Sequence, residues 1–191
     1  ALPICFNALS LSTGNDKSQS YISVATTNAT GIMPNNDYDR YNFSFRNTTN
    51  FLNNKFILDT SANYIIQNDK NMVSQGQYFN PLTSLYLFPR GEDFSDVAVY
   101  ERYDDLSGVN TQYWPYGDLG GVSSQNPYWI MNRMNRENDR RRYKLAASLQ
   151  YNIIEGLNVQ GRVSIDNTES KYTEKFHAGT VGNFAGPKGR Y

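Results

Sequence analysis

The stretch YNFSFRNTTNF, residues 41–51, alternates aromatic and polar side chains with a period of two. One set of positions begins with Tyr41 and Phe43, and the interleaved set begins with Asn42 and Ser44. Successive side chains of a β-strand point to opposite faces of the sheet. The pattern therefore predicts a strand with one apolar face and one polar face.

The same alternation continues on both sides of this stretch. Three further segments show it clearly, and two weaker ones precede residue 30. Strands of about 11 residues span about 36 Å. At a tilt near 40° the height of such a strand is close to the ~25 Å apolar band of an outer-membrane barrel. Strands of soluble proteins are usually about 5–6 residues long. We predict six strands in three hairpins, near residues 6–13, 20–27, 41–51, 56–66, 143–153 and 157–166.

The connections between these strands alternate in length. Short turns fall near residues 14–17, 52–55 and 154–156, whereas residues 28–40 and 67–142 form longer connections. This distribution is typical of outer-membrane barrels, as are aromatic residues at the ends of the apolar faces. We therefore predict an all-β fold, in which antiparallel hairpins form part of a large transmembrane β-barrel with one long extracellular loop at 67–142. From the alternation alone, a soluble Tyr-rich β-sandwich that binds glycans remains an alternative.

The composition limits the possible functions. The chain has 191 residues, of which 39% are hydrophobic and 19% charged, with a mean hydropathy of −0.64. Because 18 basic residues balance 18 acidic ones, no overall basic field favours nucleic acid as a partner. The single Cys5 excludes a disulfide scaffold, and the chain has no apolar run of about 18 residues that would predict a membrane-spanning helix.

No catalytic or metal-binding motif stands out, so we expect neither an enzyme nor a bound cofactor or metal. His177 is interpreted as a surface loop residue rather than as a ligand. The pair Asp104-Asp105 is interpreted as a solvated loop pair rather than as half of a cation site.

Several segments, in order along most of the chain, resemble the early barrel of SusC/RagA-like TonB-dependent transporters. The matching segments are residues 14–17, 31–43, 59–65, 78–91, 126–129 and 138–140. The resemblance implies a 22-stranded barrel with an N-terminal plug in the outer membrane of a Gram-negative, Bacteroidetes-type bacterium.

Transporters of this family import glycan or peptide fragments with energy delivered by TonB, and a SusD-like surface lipoprotein closes over them as a lid. The implied partners of this chain are therefore that lipoprotein, an oligosaccharide or peptide substrate and outer-membrane lipid. TonB would act through a region outside the chain, which we expect to be a piece of a larger transporter.

Candidate site residues come from the long loop and from the polar strand faces. Aromatic rings of the loop are candidates for contact with a sugar or with the lid protein, the alternative being a loop that packs on itself around Tyr78-Phe79 and Leu85–Phe88. The loop candidates are Tyr113, Trp114, Tyr116, Tyr128, Trp129 and Arg90. The predicted lumen-facing residues are Arg46, Asp59, Asn63, Gln150 and Arg162.

A basic cluster precedes the fifth predicted strand. We expect either a solvated, salt-bridged strand entrance, or contact with lipopolysaccharide, or pairing with carboxylates such as Asp59 and Asp166. Its members are Arg133, Arg136, Arg140, Arg141, Arg142 and Lys144.

Overall fold

The computed structural model describes residues 3–116, 118, 119, 122–185 and 188–191, with backbone alone at 118, 119, 122 and 123. The chain divides into two compact units. The first, called the strand unit, comprises Ala1–Ala29, Tyr38–Asn68 and Asp139–Lys171. The second, called the loop unit, comprises Thr30–Asp37, Asp69–Asn138 and Tyr172–Tyr191.

Six long strands form one sheet. They are β1 (Ile4–Gly14), β2 (Ser18–Thr30), β3 (Asp37–Phe51), β4 (Phe56–Lys70), β9 (Met134–Ile154) and β10 (Leu157–Phe176). Their order in the sheet is β1-β2-β3-β4-β9-β10. In the first hairpin, β1 and β2 are antiparallel, with Leu9 opposite Val24. The predicted all-β class with antiparallel hairpins is confirmed.

Short turns join the hairpins where the sequence predicts them. Between β1 and β2, the Asn15 side chain accepts hydrogen bonds from the backbone N–H groups of Lys17 and Ser18, both at 2.9 Å. Between β3 and β4, Asn53 and Asn54 adopt positive φ angles of 56° and 66°. Asparagine tolerates this left-handed region better than most residues, which explains its use in this turn.

The long strands extend beyond the predicted limits, most of all β9, which begins at Met134 rather than near residue 143, and β10, which ends at Phe176 rather than near residue 166. Residues 134–142 carry mostly polar side chains, so they show no apolar alternation. The strand continues because its polar side chains have partners: Asn138 donates to Asp69 at 3.0 Å, and Arg140 to Ser170 at 3.4 Å. Alternation reports a buried or lipid-facing side, and a strand that is polar on both faces gives no such signal.

The sheet of the strand unit is a single layer. Among the described residues, every buried hydrophobic side chain belongs to the loop unit. Large apolar side chains of the sheet are exposed instead, with Leu9 at 77% and Val163 at 65%. The strand unit therefore has no hydrophobic core of its own within the described residues.

The loop unit has a small core. The segment predicted as an extracellular loop at 67–142 is not structureless, because residues 71–133 contain short helices and hairpins. These elements are α1 (Pro81–Tyr86), a 3₁₀ helix (Phe94–Ala98), β5 (Glu101–Asp104), β6 (Val109–Gln112), β7 (Asp118–Leu119), β8 (Val122–Ser123) and α2 (Pro127–Arg133). The core consists of Trp129, Ile130, Met134, Phe176 and Ala185, with Phe79 and Tyr100 packed against it.

Both helices of the loop unit begin with the same dipeptide, Asn-Pro. The Asn80 side chain accepts a hydrogen bond from Leu82 N at 3.0 Å, and that of Asn126 from Tyr128 N at 2.9 Å. Asparagine is a preferred N-cap, and proline suits the first helical position because its missing N–H is not needed there. Neither helix of the described chain is long enough to cross a lipid bilayer.

Candidate functional site

The strand unit has a polar face with a depression of about 740 Å³. Four of the five predicted lumen-facing residues line it: Arg46, Asp59, Asn63 and Arg162. The fifth, Gln150, hydrogen-bonds to Asn152 at 2.8 Å on β9 and does not line the depression. These four side chains of β3, β4 and β10 therefore lie around one depression.

Two arginine–carboxylate pairs lie on this polar face. Arg46 donates to Asp59 Oδ2 through Nε at 3.0 Å and Nη2 at 2.8 Å, and the Thr48 hydroxyl donates to the same oxygen at 3.0 Å. Arg142 donates to both oxygens of Asp166, at 2.8 and 2.6 Å. The predicted pairing of the basic cluster with Asp166 is confirmed, whereas Asp59 is held by Arg46, which lies outside that cluster.

The opposite side of the sheet, the apolar face, presents Ile22, Val24, Phe43, Tyr64 and Leu145 around a second depression. Phe43 stacks on Tyr64 with ring centres 6.5 Å apart. Such cross-strand aromatic pairs stabilise a sheet. The two faces of the sheet therefore differ chemically: one carries ion pairs, and the other carries exposed aromatic and aliphatic side chains.

Two further members of the basic cluster, Arg133 and Arg136, have different partners. Arg133 forms a two-pronged ion pair with Glu101, at 2.8 and 2.9 Å. Hydrogen bonding from Arg133 lowers the pKa of the Glu101 carboxyl. Arg136 is buried and donates to the Ser74 hydroxyl and to the Phe79 carbonyl. Arg133 therefore fits the expected salt-bridged strand entrance, whereas Arg136 is held by a hydroxyl and a carbonyl oxygen.

Trp114 and Tyr116, two of the predicted contact residues, belong to an aromatic cluster with Phe88 and Phe94. Ring centres lie 5.2 Å apart for Trp114 and Tyr116 and 5.1 Å for Phe88 and Tyr116, both edge to face. The Trp114 Nε1–H donates to the Ser124 hydroxyl at 2.8 Å. Burial raises the pKa of Tyr116, and the carboxylates of Glu92 and Asp96 raise it further. The rings chiefly contact one another, as the alternative of a loop that packs on itself predicted.

Trp129 is the clearest correction among the predicted contact residues. Its side chain is 1% exposed and lies in the core of the loop unit, where Nε1 donates to Thr180 Oγ1 at 3.2 Å. A residue so buried has no surface with which to contact a substrate or lid. Its partner Thr180 follows β10 in the sequence, so the aromatic spacing of the loop gave no sign of this packing.

The remaining loop candidates differ in accessibility. Tyr113 lies under the Arg102 guanidinium at 3.4 Å, which is a cation–π contact. Tyr128 stacks on Tyr100 with ring centres 6.4 Å apart. Both are half-buried, and Arg90 is exposed. These side chains retain surface for a ligand, although two of them already have aromatic or cationic partners.

Several buried polar residues of the loop unit were not predicted. The Asn126 amide donates to the carbonyls of Val97 at 2.9 Å and Tyr113 at 3.1 Å, and Gln125 donates to Tyr78 O at 2.7 Å. These bonds join segments that are distant in sequence. Asparagine directly before proline is the one local signal that could have revealed the first of them.

Among the described residues, no three side chains of the metal-binding types come together. Hydrogen bonds from Ser107 and the Leu106 backbone lower the pKa of Asp104, which closes the turn between β5 and β6. His177 and Cys5 are exposed.

No model of a known protein family matches the chain, and no curated protein matches it either.

Proposed function

We propose that this chain is part of the barrel wall of a TonB-dependent outer-membrane nutrient importer of the SusC/RagA type. The observation that carries the proposal is the single-layer sheet, whose polar face is ion-paired and whose apolar face is exposed and aromatic. In a barrel wall the apolar face contacts lipid and the polar face contacts a hydrated interior. The strands, of 11 to 21 residues, are long enough for a tilted crossing of the bilayer.

The loop unit is the extracellular part in this proposal. Its exposed residues, including Arg90 and Tyr86, contact the imported glycan or peptide fragment or a SusD-like surface lipoprotein. TonB acts through a region of the transporter outside this chain. The protein is an importer rather than an enzyme, and it works without a cofactor.

The glycan-binding β-sandwich is less well supported. A sandwich packs a second sheet against the apolar face of the first. The other sheets of the described chain have two strands each, β5-β6 and β7-β8, and belong to the loop unit. Nothing described within the strand unit covers Phe43, Tyr64 or Leu145.

Lipid access along β9 tests the proposal. In a Cys5→Ser background, single cysteines at each position from 143 to 150 carry an environment-sensitive fluorophore, with the chain refolded into phosphocholine vesicles. Spin-labelled lipids should quench the fluorophore at Tyr143, Leu145 and Leu149 and spare it at Lys144 and Gln150. Uniform quenching, no quenching, or a soluble and cooperatively folded monomer in buffer would contradict the importer proposal.

A further inference from the structure

The chain has no net charge, but its basic and acidic residues are divided unevenly between the two units. The strand unit has ten basic and seven acidic residues, whereas the loop unit has eight basic and eleven acidic ones. The excess of positive charge in the strand unit is not spread over its surface. It is concentrated on the polar face of the sheet.

Two depressions on that face share Lys144, with volumes of about 740 and 450 Å³. Such volumes fall within the roughly 300–1,000 Å³ of small-molecule sites. Among the described residues, Asp59 is the one acidic residue that lines them, and Asp166 is held by Arg142. Asp16 lines a third depression beside Arg46. The basic residues that line the first two are Arg40, Arg46, Arg142, Lys144 and Arg162.

Three of these five cations form no ion pair among the described residues, although the charge of Arg162 acts on Asp59 and the charge of Lys144 acts on Asp166. Arg40 donates to the Asn42 side chain at 3.1 Å, and neither Lys144 nor Arg162 forms an ion pair. Hydroxyl and amide groups surround them, among them Ser61, Asn63 and Ser164. Cations among neutral hydrogen-bonding groups favour a ligand with several negatively charged oxygens.

We propose that the polar face of the strand unit binds oligomeric carboxylates, with Lys144, Arg162 and Arg40 as the cations that recognise them. Acidic oligosaccharides and acidic peptides share this chemistry. The charges of Arg46 and Arg142 are already matched by Asp59 and Asp166, so they fix the shape of the surface and contribute less to the attraction. The binding follows from the face itself, but the conclusion that the importer favours anionic fragments rests on the proposed function.

Fluorescence anisotropy tests the binding. The probes are fluorescein-labelled hexaglutamate, hexagalacturonate and maltohexaose, added to the whole chain in zwitterionic detergent. We expect the acidic probes to bind and the neutral one not to bind. Raising NaCl from about 50 to about 500 mM should weaken the binding, because salt screens exposed charges. Binding of the peptide alone, or of the galacturonate alone, would identify which source of carboxylates the face accepts.

A matched pair of double variants locates the site. K144Q/R162Q should weaken the binding of an acidic probe about ten-fold, because two charge-assisted contacts are lost. K17Q/K55Q removes the same charge from turns of the same unit and should leave the affinity within about two-fold. Circular dichroism checks the strand content of each variant. If K144Q/R162Q loses its strand content, the proposal is decided by the wild type alone. The wild type should then bind the acidic probes in preference to maltohexaose, and this binding should weaken as salt is added.

Three results would overturn the proposal: no binding of either acidic probe, equal binding of maltohexaose, or unchanged affinity in K144Q/R162Q. The lipid-quenching pattern along β9 is measured separately. Alternating quenching without carboxylate binding would leave the importer proposal intact and reject this one. Carboxylate binding without alternating quenching would leave the carboxylate-binding proposal intact and reject the importer proposal.

Discussion

The strand unit and the loop unit are both rich in aromatic and Asn residues, but among the described residues the loop unit alone buries apolar side chains. Trp129 and Met134 are each 1% exposed in the loop unit, whereas Leu9 in the strand unit is 77% exposed. The loop unit therefore gains the free energy of burying apolar surface from its own residues. The strand unit is held by backbone pairing and ion pairs, and the large apolar side chains of its sheet are exposed among the described residues.

Because of this difference, the folds of the two units should depend on different interactions. The fold of the loop unit depends on particular side chains that meet over long sequence distances, such as Trp129 and Thr180. The fold of the strand unit depends on the surroundings of its two faces. Substitutions should therefore have local consequences in the loop unit and environment-dependent ones in the strand unit.

The largest effect is expected at the core of the loop unit. Trp129→Ala should destabilise this unit by about 3–5 kcal/mol, because it leaves a cavity and removes the hydrogen bond to Thr180. Near-UV circular dichroism during urea unfolding measures the effect. Tyr86→Ala is the control, since Tyr86 is 83% exposed and its loss should cost less than about 0.5 kcal/mol. Similar losses in both variants would contradict a core centred on Trp129.

In the strand unit, the effect of a charge should depend on the face. Leu149→Arg on the apolar face should destabilise the lipid-inserted chain by roughly 2–4 kcal/mol, because a cation enters hydrocarbon. Gln150→Arg, one residue later on the polar face, should cost little. Urea unfolding from vesicles, followed by strand circular dichroism, gives both values. Equal defects would mean that the faces are assigned wrongly.

The sequence predicted the strand unit well because apolar and polar side chains alternate regularly along its strands. The alternation at 41–51 placed Arg46 on the polar face, and the turn residues at 14–17 and 52–55 placed the hairpins. It underestimated β9, because residues 134–142 have no apolar face to reveal a strand. Periodicity predicts an element where one side of it meets a different medium.

The sequence predicted less of the loop unit because its contacts are not periodic. The core joins Trp129 to Phe176, the last residue of β10, and to Ala185, which follows that strand, and no local pattern connects these positions. The aromatic residues of the loop could be recognised as important, but not separated into buried and accessible ones. Trp129 illustrates the difficulty, since a buried and an exposed tryptophan look alike in a sequence.

Two Asn-Pro caps allow a finer comparison within the loop unit. Asn126→Ala should cost about 2 kcal/mol, because it removes the cap and leaves the buried carbonyls of Val97 and Tyr113 without this donor. Asn80→Ala removes the cap of α1 and should cost about 1 kcal/mol. Urea unfolding of both variants checks the ranking. A larger loss for Asn80→Ala would show that the long-range bonds of Asn126 contribute little.

The smallest effect concerns the ion pair between Glu101 and Arg133 in the loop unit. Both side chains are partly exposed, at 24% and 31%, so Glu101→Gln should cost only about 1 kcal/mol at neutral pH. Hydrogen bonding from Arg133 lowers the pKa of Glu101 below its ordinary 4.5, so the folded state holds the charged form more favourably than the unfolded state does. The stabilisation is therefore complete above pH 4.5 and is lost as the pH falls through the lowered value.

Unfolding of the wild type and of Glu101→Gln across this pH range isolates the contribution of the pair. Asp93 and Asp104 also have lowered pKa values, so both proteins lose stability in acid, and the difference between them reports Glu101 alone. The difference should shrink towards zero as Glu101 becomes protonated, because the neutral carboxyl and the amide then resemble each other. A difference that stays constant into acid would mean that packing around Glu101, rather than its charge, stabilises this part of the loop unit.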